Sequence, residues 1–155
     1  MREQIISILA QKNIPFTLHE HPAVFTADEA KIYCSHIPGT ACKNLFLTYD
    51  GHFYLYILPD EKKADIQALA QSLGVPKKKL RFASAPDLME YLGVEPGSVS
   101  PLCLLVTRSN IPVIIDKDLN GLVTCHPGIN TATVSLQLSD VIALLDSVGI
   151  VCSRF

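Results

Sequence analysis

Asp50-Gly51 stands between two apolar runs, Asn-Leu-Phe-Leu-Thr-Tyr at 44–49 and His-Phe-Tyr-Leu-Tyr-Ile-Leu at 52–58. A two-residue hairpin turn needs positive φ at its central positions, which Asp-Gly accepts, and the pair is the strongest short-range hairpin signal a sequence offers. The two runs are therefore predicted to pair antiparallel, with 44–49 a core strand. Directly before them lies Gly39-Thr40-Ala41-Cys42-Lys43, a glycine-opened turn that ends in a lysine. Lysine is almost never fully buried unless paired. At a strand mouth its ammonium can meet an anionic or carbonyl-bearing ligand; equally, its stem can lie along the core edge with the charge in water.

Helical periodicity frames this hairpin. Residues 3–12 carry Ile5, Ile6, Leu9 and Ala10 on one face, and residues 64–73 carry Ile66, Leu69, Ala70 and Leu73, with Gly74 as the stop. Thr26 and Glu29 fit a capping box opening a helix over 30–33, Ser84 or a neighbouring residue caps a helix over 86–92, and Ser139-Asp140 caps a last helix through 148. Strands are predicted at 15–21, 102–107, 112–115, 122–125 and 131–136. Runs of strands interrupted by helices at irregular intervals describe an α+β fold with a mixed, mainly antiparallel sheet and flanking helices. At 155 residues, 48% apolar and 18% charged, the chain suits one ordered domain, 1–155.

Several function classes are excluded or disfavoured. No apolar run approaches the roughly 20 residues a bilayer requires, and residues 1–4 lack a signal peptide's apolar core, so a cytoplasmic protein with no membrane partner is expected. Five scattered cysteines, Cys34, Cys42, Cys103, Cys125 and Cys152, contain no C-x-x-C pair and are expected to be reduced. A formal charge of -2 argues against non-specific coating of nucleic acid but leaves room for a local basic patch. There is no P-loop, dinucleotide fingerprint or G-x-S-x-G elbow. His19, His21, Cys34 and His36 invite a zinc site, yet their spacing fits no standard motif, and neither metal nor cofactor is expected. Cys42 beside Lys43 suggests an activated thiol, weakened because adjacent strand residues face opposite ways.

Two loops remain as chemistry. Gly93-Val94-Glu95-Pro96-Gly97-Ser98-Val99-Ser100-Pro101 has small residues that let a ligand approach backbone amides. Cys125-His126-Pro127-Gly128-Ile129-Asn130-Thr131 brackets a Pro-Gly turn with side chains suited to a polar ligand, although His126 reads equally as a satisfied loop histidine.

Five blocks, at 17–26, 39–47, 79–84, 97–102 and 126–133, occur in the order seen in the YbaK/ProRS-type aminoacyl-tRNA editing domains, and the chain most resembles their free-standing PrdX/ProX branch, deacylases of Ala-tRNA(Pro). The resemblance implies a twisted mixed central sheet and a carboxylic ester hydrolase acting in trans on mischarged tRNA(Pro), with proline excluded by size. It implies a catalytic Lys43, with the G-x-x-x-P loop beside the aminoacyl ester. Gly97 and Ser98 join the catalytic group, and Asn44, Val99, Ser100, Pro101, His126 and Asn130 bind substrate. A tRNA hydroxyl assists water in place of a protein base. Lys77, Lys78, Lys79 and Arg81 are the best candidates for acceptor-stem phosphate contacts, and read equally as a solvated face. The expected partner is aminoacyl-tRNA(Pro), with prolyl-tRNA synthetase or an elongation factor beside it, and the expected state is a monomer. Two alternatives stay open: a Cys-tRNA(Pro) deacylase of the YbaK type, and a module that binds aminoacyl-tRNA without hydrolysing it.

Overall fold

Asp50 and Gly51 take φ of 48° and 76° and close the hairpin between β2 (Thr40–Tyr49) and β3 (His52–Pro59). The computed structural model describes residues Met1–Phe155. Register runs from Tyr49↔His52 at the turn to Cys42↔Pro59 at the far end. β2 starts at Thr40 rather than at 44, so Lys43 lies inside the strand and not at its mouth. The extension comes from a second pairing, in which Thr40 and Ala41 run parallel to Val123 and Thr124 of β6 (Leu122–Cys125). Gly39 permits that approach. Its φ is 120°, and a Cβ there would sit 3.1 Å from the Thr124 methyl and 3.2 Å from the Leu122 carbonyl oxygen.

The strands form one mixed sheet in the order β1-β7-β6-β2-β3-β5-β8, where β1 is Phe16–Glu20, β5 is Val113–Ile115, β7 is Ala132–Gln137 and β8 is Cys152–Arg154. A short β4 (Arg81–Phe82) pairs antiparallel with Leu47 and Thr48 of β2. Because β3 occupies one edge of β2 along its length, β6 and β4 must share the other. They take its opposite ends, and the stretch around Lys43 and Asn44 is left between them.

Both faces of the sheet are covered, which is why the β3 run is apolar almost throughout rather than alternating. Leu55 and Ile57 face a core closed by α1 (Arg2–Gln11), α4 (Ala85–Leu92) and α6 (Leu138–Ser147), while Tyr56 and Leu58 face α3 (Ile66–Leu73) through Leu69 and Ala70. Ser84 caps α4 in a full capping box with Asp87. α2 (Ala27–Cys34) is capped by the Thr26 hydroxyl, which accepts from Glu29 N–H, and buries none of its residues. No helix is long and apolar enough to cross a membrane.

One predicted strand is absent. Residues 102–107 form a 3-10 turn (Pro101–Cys103) followed by α5 (Leu104–Thr107). Ser100 accepts from Leu102 N–H at 3.2 Å, and Pro101 supplies a helical φ at the first position, so this apolar run is a buried helix, which periodicity alone does not separate from a buried strand. α6 also begins earlier than expected. Its N-cap is Gln137 with no side-chain cap, and Ser139 and Asp140 sit in the first turn, because β7 leads straight into the helix.

The edge strand β8 is fastened by a buried carboxylate. Asp116, only 1% exposed, accepts from the Tyr56 hydroxyl, from Lys62 Nζ at 2.8 Å and from Asp118 N–H at 2.9 Å. Arg154 donates to the carbonyls of Asp116 and Leu119 and so ties β8 to the same corner. Burial raises the Asp116 carboxyl, but the Lys62 and Tyr56 hydrogen bonds outweigh it and hold the group below its ordinary 3.8. Asp116→Ala should cost about 2–4 kcal/mol, because it strands the Tyr56 hydroxyl and loosens β8. Urea unfolding at pH 7 measures this, and an unchanged midpoint refutes it. In the wild type this stabilisation is complete above pH 3.8, the unfolded value, and is lost as pH falls through the lower folded value.

Candidate active site

Where β6 and β4 part along β2, the sheet opens into a cleft of about 360 Å³. β2 contributes Lys43 and Asn44, the end of β6 contributes Thr124, Cys125 and His126, the 93–101 loop contributes Gly97 and Val99, and the segment leading into α2 closes the top. Alternation sends Lys43 to the side of Leu45 and Leu47, and Asn44 to the side of Phe46; both border the cleft, which lies where the sheet divides.

Lys43 is half-buried and takes part in no ion pair or side-chain hydrogen bond. It is the only lysine or arginine on the cleft wall. Asn44 Oδ1 is buried without a hydrogen-bond partner. Gly97 has φ of 90°, and no atom lies within 4 Å of where its Cβ would be, so glycine is there for the backbone conformation and leaves open space beside the peptide.

His126 is held by one bond, Nδ1–H donating to the Ala132 carbonyl at 2.8 Å. A carbonyl can only accept, so the neutral ring carries its proton on Nδ1 and presents an Nε2 lone pair. Burial, with the His21 ring at 6.1 Å, holds His126 below its ordinary 6.5. By the same reasoning His21 donates from Nδ1 to the Pro22 carbonyl at 2.9 Å and accepts at Nε2 from the Thr133 hydroxyl at 2.8 Å.

The structure gathers Lys43, Asn44, Gly97, Val99 and His126 on one cleft. Ser98, Ser100, Pro101 and Asn130 do not border it. Ser98 is buried with its N–H on the Glu95 carbonyl, and Ser100 and Pro101 build the 3-10 turn behind the loop. Asn130 donates from Nδ2 to the Val24 carbonyl at 3.3 Å, and its backbone carbonyl accepts the Val24 N–H at 3.2 Å, strapping the upper wall in place. Lys77, Lys78 and Lys79 lie exposed on the turn before β4. Arg81 pairs with Thr48, about 16 Å along β2 from Lys43.

Asp60 was missed by sequence reasoning. Its N–H donates to the Ala41 carbonyl at 2.8 Å, and the residue borders the cleft, its carboxylate close enough to Cys42 to help push that thiol up. The hairpin register was the available signal, since counting back from Asp50-Gly51 sets Lys43 against Leu58 and brings residue 60 beside residue 41. Cys42 is a poor nucleophile: burial, then the neighbouring Cys125, pushes its thiol up, and its Sγ donates to the Thr40 carbonyl. The rings of His19 and His36 meet edge-on at 6.1 Å, but no three His, Cys, Asp or Glu side chains converge at metal-binding spacing.

A family model described as an aminoacyl-tRNA editing domain matches residues 21–144. The chain belongs to the YbaK/ProX-type aminoacyl-tRNA editing family. This editing domain is 32% identical over 152 residues to the Prolyl-tRNA synthetase associated domain-containing protein 1 of Danio rerio, covering 94% of this chain and 82% of that one. It is 32% identical over 153 residues to the Prolyl-tRNA editing protein ProX of Acetoanaerobium sticklandii, covering 96% and 92%. A solved structure of a proposed trans-editing enzyme for prolyl tRNA synthetase superposes with a TM-score of 0.76 at 22% identity, over 99% of this chain and 94% of that one, and shares the fold.

The His126 environment is directly measurable. In an NMR pH titration its ring should titrate below 6.5, and a midpoint at or above that value overturns the tautomer and burial argument. The unfolded chain binds the proton more tightly, so His126 should also lower fold stability as pH drops from 6.5 through the depressed folded value.

Proposed function

We propose that this editing domain is a free-standing deacylase that hydrolyses the ester of mischarged tRNA(Pro), with Ala-tRNA(Pro) as its preferred substrate. The observation that carries the reading is the unpaired Lys43 ammonium sharing a cleft with the Gly97–Val99 backbone. The names of the prolyl-tRNA relatives support the choice of tRNA.

An aminoacyl ester is already activated, so the protein has to position it, place a water and stabilise the developing oxyanion. Lys43 supplies charge at the carbonyl or at a terminal phosphate oxygen, and the Gly97 and Val99 amides donate to the carbonyl oxygen. His126 Nε2 orients the substrate as an acceptor, and the vicinal hydroxyl of the terminal ribose holds the attacking water. Proline is rejected by size. A methylene more or less in an apolar pocket changes binding by only ~1–3 kcal/mol, so a clash against the cleft walls has to supply the rest. Lys77, Lys78, Lys79 and Arg81 hold acceptor-stem phosphates.

The decisive experiment presents tRNA(Pro) charged with alanine, cysteine, serine or proline to the wild type and to Lys43→Ala. Alanine should be released fastest and proline left intact. Lys43→Ala should lose about 2–4 kcal/mol of transition-state stabilisation while melting like the wild type. Preferential release of cysteine reassigns the substrate, and release of none refutes the deacylase reading. Alanyl-tRNA whose terminal adenosine lacks the vicinal hydroxyl should be inert; hydrolysis at the normal rate overturns the substrate-assisted step.

Neutralising Lys77, Lys78 and Lys79 together should weaken tRNA binding and flatten the plot of log affinity against log salt by about one slope unit per lost phosphate contact. An unchanged slope removes these lysines from the interface.

A further inference from the structure

Hydrogen-bonding capacity on the cleft wall is lopsided. Its acceptors include the His126 Nε2 lone pair and the Asp60 carboxylate, while Lys43 is its only cationic donor. Asp60 is also the only carboxylate that borders the cleft. It is half-buried, caps no helix and joins no ion pair, since α3 is capped by Asp65 and the nearby Lys62 is engaged by Asp116 and Asp118. An unpaired carboxylate at that depth is held there by the backbone, through the Asp60 N–H to Ala41 carbonyl bond.

Lys43 and Asp60 also fail to neutralise one another. The hairpin register puts Lys43 opposite Leu58 and Asp60 beside Ala41, two residues or about 7 Å apart along the strand, and no ion pair forms between them. A cleft with separated, unpaired charges of both signs and a surplus of acceptors is complementary to a ligand that has an electron-rich end and, a few ångströms away, a cation with several N–H donors. A free aminoacyl ester is such a ligand. Its carbonyl and phosphate form one end and its α-ammonium, with three N–H donors, forms the other.

We infer that Asp60, with His126 Nε2, forms an α-ammonium subsite that restricts this protein to esters with an unblocked amine. The inference rests on the deacylase reading and assigns Asp60 a specificity role within it. An ester whose α-nitrogen is acylated or replaced by oxygen lacks the cation, and so gains nothing from Asp60.

The test compares tRNA(Pro) esterified with alanine against the same tRNA esterified with lactate, in which a hydroxyl of nearly equal size replaces the ammonium. In the wild type kcat/KM, divided for each ester by its own uncatalysed rate constant, should favour alanyl over lactyl ester by about tenfold or more, the size of one charge-assisted hydrogen bond. Asp60→Asn should bring that ratio down to about threefold or less, and Asp60→Glu, which keeps the charge, should retain most of it. A wild-type ratio near one, or an Asp60→Asn ratio equal to that of the wild type, overturns the subsite and leaves the deacylase intact. The stable amide 3′-alanylamino-3′-deoxyadenosine and its lactyl counterpart, measured by calorimetry on the wild type, read the same preference without hydrolysis or a mutant. Stronger binding of the alanyl form supports the subsite and equal binding overturns it. Failure to hydrolyse either ester refutes the deacylase reading, and the calorimetric pair still decides the subsite.

Discussion

Placement of the cleft depends on the pairing of β2. One edge is taken by β3 along its length, and the other is divided between a parallel partner at Thr40–Ala41 and an antiparallel partner at Leu47–Thr48. Strands of opposite sense cannot merge into one ladder, so they diverge and leave a gap between them. Lys43 and Asn44 stand in that gap. A lysine at the same position in an unbroken sheet would be pressed between strands on both edges; here its ammonium has open space beside it. Gly39 at one end and the Asp50-Gly51 turn at the other hold the strand in this arrangement.

The two groups of charges differ in how they are satisfied, and the difference separates architecture from chemistry. Asp116 is nearly sealed from water, and each of its oxygens is used, by Tyr56 and by Lys62 with the Asp118 amide. Removing any partner leaves an uncompensated buried group, so the corner acts as a fastening for β8. Lys43 and Asp60 are half-buried and have no partner. Charges held part-way out of water and left unpaired keep their interaction energy available for a ligand, at some cost to the stability of the empty protein.

Much of the fold was legible because its signals are local. The Asp-Gly turn, the Thr26 and Ser84 caps and the Gly74 stop each announce an element within a few residues, and each is present. The elements that were missed have no local signal. β4 is two residues long, and β8 exists only because a parallel partner far away in sequence and the Asp116 corner hold it. The run at 102–107 was misassigned because a fully buried segment has no polar face to reveal its period, although Ser100-Pro101 is a helix-start pattern. At the site, Lys43, Gly97 and His126 were found through motifs, yet a loop motif does not tell which of its side chains face inward. Ser98, Ser100, Pro101 and Asn130 share those motifs and stand away from the cleft. Asp60 belongs to no motif and reaches the cleft through strand register.

The supporting residues bear on chemistry through rigidity. Oxyanion stabilisation is effective only when the donors are already oriented, because dipoles that must turn during the reaction return much of the energy they provide. The Gly97–Val99 backbone is fixed from behind by Pro101 and the Ser100 cap, both buried, and His126 is fixed by the Ala132 carbonyl. The opposite wall is attached differently. The segment before α2 is held by Asn130 and by the His21–Thr133 bond, and α2 itself sends no side chain into either core. One side of the cleft is therefore as rigid as the core behind it, while the opposite side hangs on a few polar bonds. A wall discriminates by size only as sharply as it is stiff, so if the cleft excludes larger side chains as proposed, the His21, Thr133 and Asn130 bonds set how firmly it does so.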